Sequence, residues 1–151
     1  MRNIREELQL FVRRFGLLNA SCCEECCGEQ VSLVHSHILF EIRRMGAPSM
    51  QQVAEELGMD VTTFSRQVKS LEAKGLIARR TSPEDRRVNL LGLTEEGSRV
   101  LVQIDRYMTA RIERIFSTMT GFEKDSVAKA LVLLNEALAQ AGDGEKIACC
   151  N

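Results

Sequence analysis

Three residues, Gly58-Met59-Asp60, stand between the end of one helical pattern and the start of the next. That short joint constrains the fold more than any other feature of the chain. Upstream, Ser49 with Gln52 three residues on is a capping-box pattern that opens MQQVAEEL, and Gly58 is placed to end it. Downstream, Asp60 is a good N-cap for VTTFSRQVKSLEAK, which Gly75 closes. Two short helices therefore lie back to back. In the second, Val61, Phe64, Val68 and Leu71 are expected to point one way, leaving Thr62, Thr63, Ser65, Arg66 and Lys69 on the other face or its flanks.

Two short strands follow, Leu76-Ile77-Ala78-Arg79-Arg80 and Val88-Asn89-Leu90-Leu91-Gly92-Leu93. The polar turn Ser82-Pro83-Glu84-Asp85-Arg86-Arg87 joins them into a hairpin. A helix, tight turn and helix followed by an arginine-tipped hairpin reads as a winged helix-turn-helix. A helix fits the major groove of DNA, where Ser, Thr and Arg side chains reach base edges and phosphates. A hairpin carrying arginine suits the narrower minor groove.

The formal charge is only −1, which alone argues against a simple polycationic binder of nucleic acid. The charge is unevenly spread, however. Residues 60–90 hold Arg66, Lys69, Lys74, Arg79, Arg80, Arg86 and Arg87 against four acids, a net +3, between two segments of net −2.

Apolar seams flank this middle. Ile4, Leu8, Phe11, Phe15 and Leu18 predict a helix over 2–18, and Val31, Val34, Ile38, Ile42 and Met45 predict a second, stopped at Gly46-Ala47-Pro48. Thr94 opens a long helix with Val100, Ile104, Met108, Ile112 and Phe116 on one side, and its acids Glu95 and Glu96 favour the N-terminal dipole. After Gly121, Val127, Leu131, Leu134, Leu138 and Ala141 form another seam, followed by a tail. The fold class is thus mainly α with one small β-hairpin. No apolar run approaches the roughly 20 residues needed to span a bilayer, and MRNIREELQL lacks the apolar stretch of a secretory signal. A cytoplasmic protein is expected. No phosphate loop or nucleophile–base pair points to catalysis, so no catalytic residue is assigned.

The stretch SMQQVAEELGMDVTTFSRQVKSLEAKGLIARRTSPEDRRVNLLGLTEEG resembles the core of MarR-type transcriptional regulators. The most telling match is the D-x-R…LT-x-x-G pattern at Asp85, Arg87, Leu93, Thr94 and Gly97. The resemblance extends over residues 2–141. It implies a homodimer on double-stranded DNA with a pseudo-palindromic operator. Residues 1–46 and 94–151 would form a helical dimerisation region, and 47–93 the winged DNA-binding domain. It puts Thr62, Thr63, Ser65, Arg66 and Lys69 on the recognition helix and Arg86 and Arg87 at the wing. Asp85, a carboxylate that phosphates repel, is expected to orient an arginine rather than touch DNA.

The cysteines depart from that resemblance. Cys22, Cys23, Cys26 and Cys27 form CCEECC, and Cys149 and Cys150 sit near the end of the sequence. Their clustering, without a signal sequence, reads as free thiols in a reducing compartment. On a helical turn, residues three and four apart lie within about 6 Å. Three thiolates then suit As(III), Sb(III) or Hg(II), and four would enclose Zn(II) or Cd(II). Glu24 and Glu25 disfavour thiolate formation but attract a cation. The same acids weaken a redox-switch reading, since reactive cysteines favour a positive neighbourhood. Structural zinc, or no role, is the third reading. Regulators of this resemblance commonly sense phenolic or lipophilic ligands or oxidants, yet the chain has no Trp and one Tyr to wall an aromatic pocket. No cofactor is expected to be required. The leading expectation is a homodimeric repressor that releases its operator when an arsenite-like metalloid or heavy metal binds the cysteines. Thiol/disulfide sensing, or a small-molecule response with structural zinc, are the alternatives. His35 and His37, two apart, read as structural.

Overall fold

A computed structural model describes residues 3–18 and 31–142. Its elements are α1 (Ile4–Phe15), α2 (Leu33–Met45), α3 (Met50–Glu56), α4 (Val61–Ala73), β1 (Ile77–Thr81), β2 (Asn89–Leu93), α5 (Glu95–Phe116) and α6 (Gly121–Gly142). The described residues divide between 108 and 109 into two compact units. Among the described residues no helix is long and apolar enough to cross a membrane.

Local chemistry sets the helix ends. Ser49 accepts the Gln52 N–H at 3.2 Å, while the Gln52 side chain accepts the Ser49 N–H at 2.8 Å, so the capping box is complete. Gly58 adopts φ 61°, its N–H reaches Glu55 O at 3.0 Å, and Met59 N–H reaches Ala54 O at 2.9 Å. That pair of bonds closes α3 in a Schellman motif. Gly75, at φ 69°, ends α4 the same way, through its own bond to Glu72 O and that of Leu76 to Leu71 O. The second helix starts later than the apolar spacing suggests. Ser32 caps it, and His35 supplies the reciprocal acceptor through Nδ1. Val31 is buried just ahead of the helix rather than inside it.

The core of the first unit gathers Ile38, Leu39 and Ile42 of α2, Val53 and Ala54 of α3, and Phe64, Val68 and Leu71 of α4. It adds Leu76, Ile77 and Leu91 from the hairpin and Val100, Leu101 and Ile104 of α5. This single cluster runs through both boundaries drawn from the sequence, at 46/47 and 93/94. The short winged helices and hairpin cannot cover their own apolar faces, so α2 and the start of α5 complete the core. Val61 was expected to share the inward face of α4. It is instead 65% exposed, because as the first helical residue it precedes the turn that touches the core.

The hairpin is antiparallel, with Ile77 opposite Leu93 and Thr81 opposite Asn89. It starts one residue later on both strands than the sequence reading. A third short pairing, missed from the sequence, joins it. Ser49 bridges Leu90, and Leu91 N–H donates to Pro48 O at 2.8 Å.

Thr94 and Gly97 hold the hairpin against α5. Thr94 N–H donates to Leu76 O at 3.1 Å, and Thr94 Oγ1 donates to Gly75 O at 2.6 Å while accepting the Gly97 N–H at 2.9 Å. A Cβ at Gly97 would lie 1.9 Å from Leu76 O. Only hydrogen fits there. The LT-x-x-G spacing is therefore a helix start fastened to the end of α4, with a bare Cα pressed on the Leu76 backbone just before β1.

Candidate nucleic-acid interface

α4 becomes an amphipathic reading element through its spacing. Phe64, Val68 and Leu71 are fully buried, so residues on the opposite side must face out. Thr62, Arg66 and Lys69 are exposed, while Thr63 and Ser65 are half-buried. Asp60 Oδ1 accepts the Thr63 N–H at 2.9 Å. Hydrogen bonds from Thr63 hold the Asp60 carboxyl below its usual pKa, so it is ionised at the start of the helix.

The wing is built around two small polar side chains. Ser82 is buried, its N–H bonds Val88 O at 2.8 Å, and its Oγ accepts the Glu84 N–H at 3.3 Å. Asp85 then turns its carboxylate onto Arg87. Oδ1 accepts the Arg87 backbone N–H at 2.9 Å and Nε at 3.2 Å, and Oδ2 accepts a terminal guanidinium N–H at 3.3 Å. The backbone bond and then the guanidinium hold the Asp85 carboxyl below its ordinary range. The Arg87 side chain is 91% exposed even so. It projects from the tip into solvent with its direction constrained by the Asp85 ion pair. Arg86 beside it is exposed and has no ion pair among the described residues.

Not every basic residue of the middle segment is free. Arg79 donates two hydrogen bonds to Glu72, at 2.7 and 2.5 Å, and this pair ties β1 to α4. Arg79 therefore positions the wing against the recognition helix. Arg80, one residue on, points out from β1 with no ion pair among the described residues. It joins Arg66, Lys69 and Arg86 as an available cation. Sequence reasoning left it out of the site, although strand alternation from buried Ile77 predicts inward and outward positions.

His35 is the one described histidine with unusual surroundings. Its Nδ1 serves the cap of α2, and its buried Nε2 has no hydrogen-bond partner among the described residues. Burial and then the charge of Lys74 push the imidazole below its usual pKa. His37 is exposed. The six cysteines, named as a candidate metal site, lie outside the described residues. Among those described, no group of three His, Cys, Asp or Glu side chains is arranged to hold a metal.

A capped recognition helix, a hairpin fastened to it and exposed cations on both define a winged-helix transcription regulator. A family model for the MarR family matches residues 29–88. The uncharacterized HTH-type transcriptional regulator YxaD of Bacillus subtilis (strain 168) is 32% identical over 136 residues, covering 89% of this chain and 92% of the relative. FabT of Streptococcus pneumoniae, solved in complex with DNA, is 26% identical with a TM-score of 0.81, over 91% of this chain and 96% of that one. YusO of Bacillus subtilis is 25% identical with a TM-score of 0.69, over 89% and 93%. The chain belongs to the MarR family of DNA-binding transcriptional regulators.

Proposed function

We propose that the protein is a homodimeric repressor that grips a pseudo-palindromic operator and releases it when a thiophilic metalloid, arsenite-like above all, binds the cysteine cluster. The observation that carries the DNA part is the wing. Asp85 aims an otherwise uncovered Arg87 from the hairpin tip, and the hairpin is tied to the recognition helix by Arg79 and Glu72. Thr62, Thr63, Ser65, Arg66 and Lys69 are the recognition-helix contacts and Arg86 and Arg87 the wing contacts in this reading. Arg66, Lys69, Arg80 and Arg86 supply phosphate neutralisation, which makes affinity fall with salt.

Pairing with a second copy is supported by apolar faces left exposed among the described residues. On α1, Ile4, Leu8 and Phe11 are exposed; on α6, Leu131, Leu134 and Leu138 are. Faces of this kind are what a two-fold interface buries.

The inducer reading rests on the thiol-only composition of CCEECC. A trigonal S3 centre needs neither imidazole nor carboxylate. Cys22, Cys23, Cys26 and Cys27 lie in the segment leading from α1 to α2, and Cys149 and Cys150 add two further soft ligands. Coupling needs the ligand to favour the DNA-incompetent state by about 1–3 kcal/mol.

The test is operator binding by fluorescence anisotropy, on a duplex from the promoter of its own gene. Arsenite or Hg(II) should dissociate the complex and peroxide should not. Changing Cys22, Cys23, Cys26 and Cys27 to Ser should abolish that response while leaving operator affinity intact. Dissociation by peroxide alone would overturn the metalloid reading in favour of a disulfide switch. Separately, Arg87→Ala should weaken operator binding about tenfold with no change in thermal midpoint. An unchanged affinity would remove the wing from the interface.

A further inference from the structure

The first turn of α4 carries an apolar side chain that stays mostly exposed among the described residues. Val61 is the first helical residue, 65% exposed, beside exposed Thr62. Helix formation does not favour it, since a β-branched residue loses χ1 freedom in a helix. The core does not use it, since α4 packs through Phe64, Val68 and Leu71. Capping does not need it either, since Asp60 does that work through Thr63.

In a helix-turn-helix protein the N-terminal residues of the recognition helix reach base edges. The charge pattern along α4 fits that placement. The ionised Asp60 at the start would be repelled by phosphates, whereas Arg66 and Lys69 stand further along the exposed face. The first turn is thus suited to the groove floor and the later turns to the backbone. On that floor most groups are hydrogen-bond donors or acceptors, for which a valine has no partner. The exception is the C5-methyl of thymine.

We infer that Val61 is a specificity-determining residue that reads one thymine C5-methyl in each half-site of the operator. The inference rests on the DNA-binding reading above. It adds a preference at one base pair beyond the hydrogen bonds that the polar residues of the helix supply. Removing the methyl from that thymine, or the two γ-methyls from Val61, costs the same contact. Each loss should weaken binding about fourfold per half-site, the worth of one buried methyl-sized group.

The experiment begins with a duplex enriched by the wild-type protein from a random pool. Each thymine is replaced in turn by uracil, which removes the C5-methyl and keeps the pairing. Wild-type, Val61→Ala and Thr62→Ser proteins are then compared by anisotropy. The expected result is one uracil-sensitive position per half-site in the wild type. Val61→Ala should bind thymine and uracil equally there, Thr62→Ser should keep the discrimination, and all three should share one thermal midpoint. Discrimination that survives in Val61→Ala but disappears in Thr62→Ser would assign the methyl to Thr62 and overturn the proposal. So would a wild type indifferent to uracil at every position. Failure of the wild type to enrich any sequence would instead break the operator reading itself, and this inference with it.

Discussion

α4 and α6 both present regular apolar positions, and they meet opposite fates. In α4, Phe64, Val68 and Leu71 are fully buried by residues of the same chain. In α6, Leu131, Leu134 and Leu138 stay 43–57% exposed. An apolar period specifies which face will leave water, but not which molecule covers it. The buried set belongs to a head that is complete in one chain. The exposed set stays open to water among the described residues, as does the face of α1 bearing Ile4, Leu8 and Phe11.

The largest expected effect breaks the self-sufficient side of that contrast. Phe64→Ala removes a fully buried ring from the centre of the head, at about 4 kcal/mol. Urea unfolding should report that loss equally at low and high protein concentration. Gly97→Ala should cost about 3 kcal/mol, because its Cβ would meet the backbone oxygen of Leu76, which cannot swing aside. Circular dichroism melting would detect it, and an unchanged midpoint would mean that α5 slides freely on the hairpin.

The next change addresses the unfinished side. Leu134→Ala should leave the head intact yet weaken self-association roughly thirtyfold, about 2 kcal/mol, measured by analytical ultracentrifugation. Unlike Phe64→Ala, it should make the melting midpoint more dependent on concentration. A monomeric wild type would sink this prediction outright.

The smallest effect concerns pH. Burial and Lys74 hold His35 below its ordinary pKa. Its contribution to stability is therefore full above the unfolded histidine pKa, about 6.5, and is lost as pH falls through the lowered native value. His35→Gln keeps an acceptor suited to the Ser32 capping box but cannot titrate. Urea midpoints at pH 7.5 and 5.0 should diverge less in the variant than in the wild type.

Much of the head was legible because its signals are local. Ser49, Gly58, Asp60 and Gly75 each act within a few residues of their own position, and their caps and turns follow from composition. The Asp85–Arg87 contact is also local, two residues apart. What escaped the sequence depends on distant neighbours. Nothing near Gly97 announces that Leu76 will press on it, and nothing near Leu91 announces Pro48. Val61 fits the helical period, yet it occurs one turn before the core begins. Strand alternation separates outward Arg80 from inward Arg79, but only the placement of Glu72 shows that Arg79 is anchored. The cysteine reading involves residues outside those described, so its support comes from chemistry rather than position.

Thr94 has a mechanical consequence. One hydroxyl grips the last carbonyl after the recognition helix and the first turn of α5 together. The start of α5 is thereby joined directly to the turn that ends the recognition helix, so the two share one hinge point although the whole hairpin lies between them in sequence.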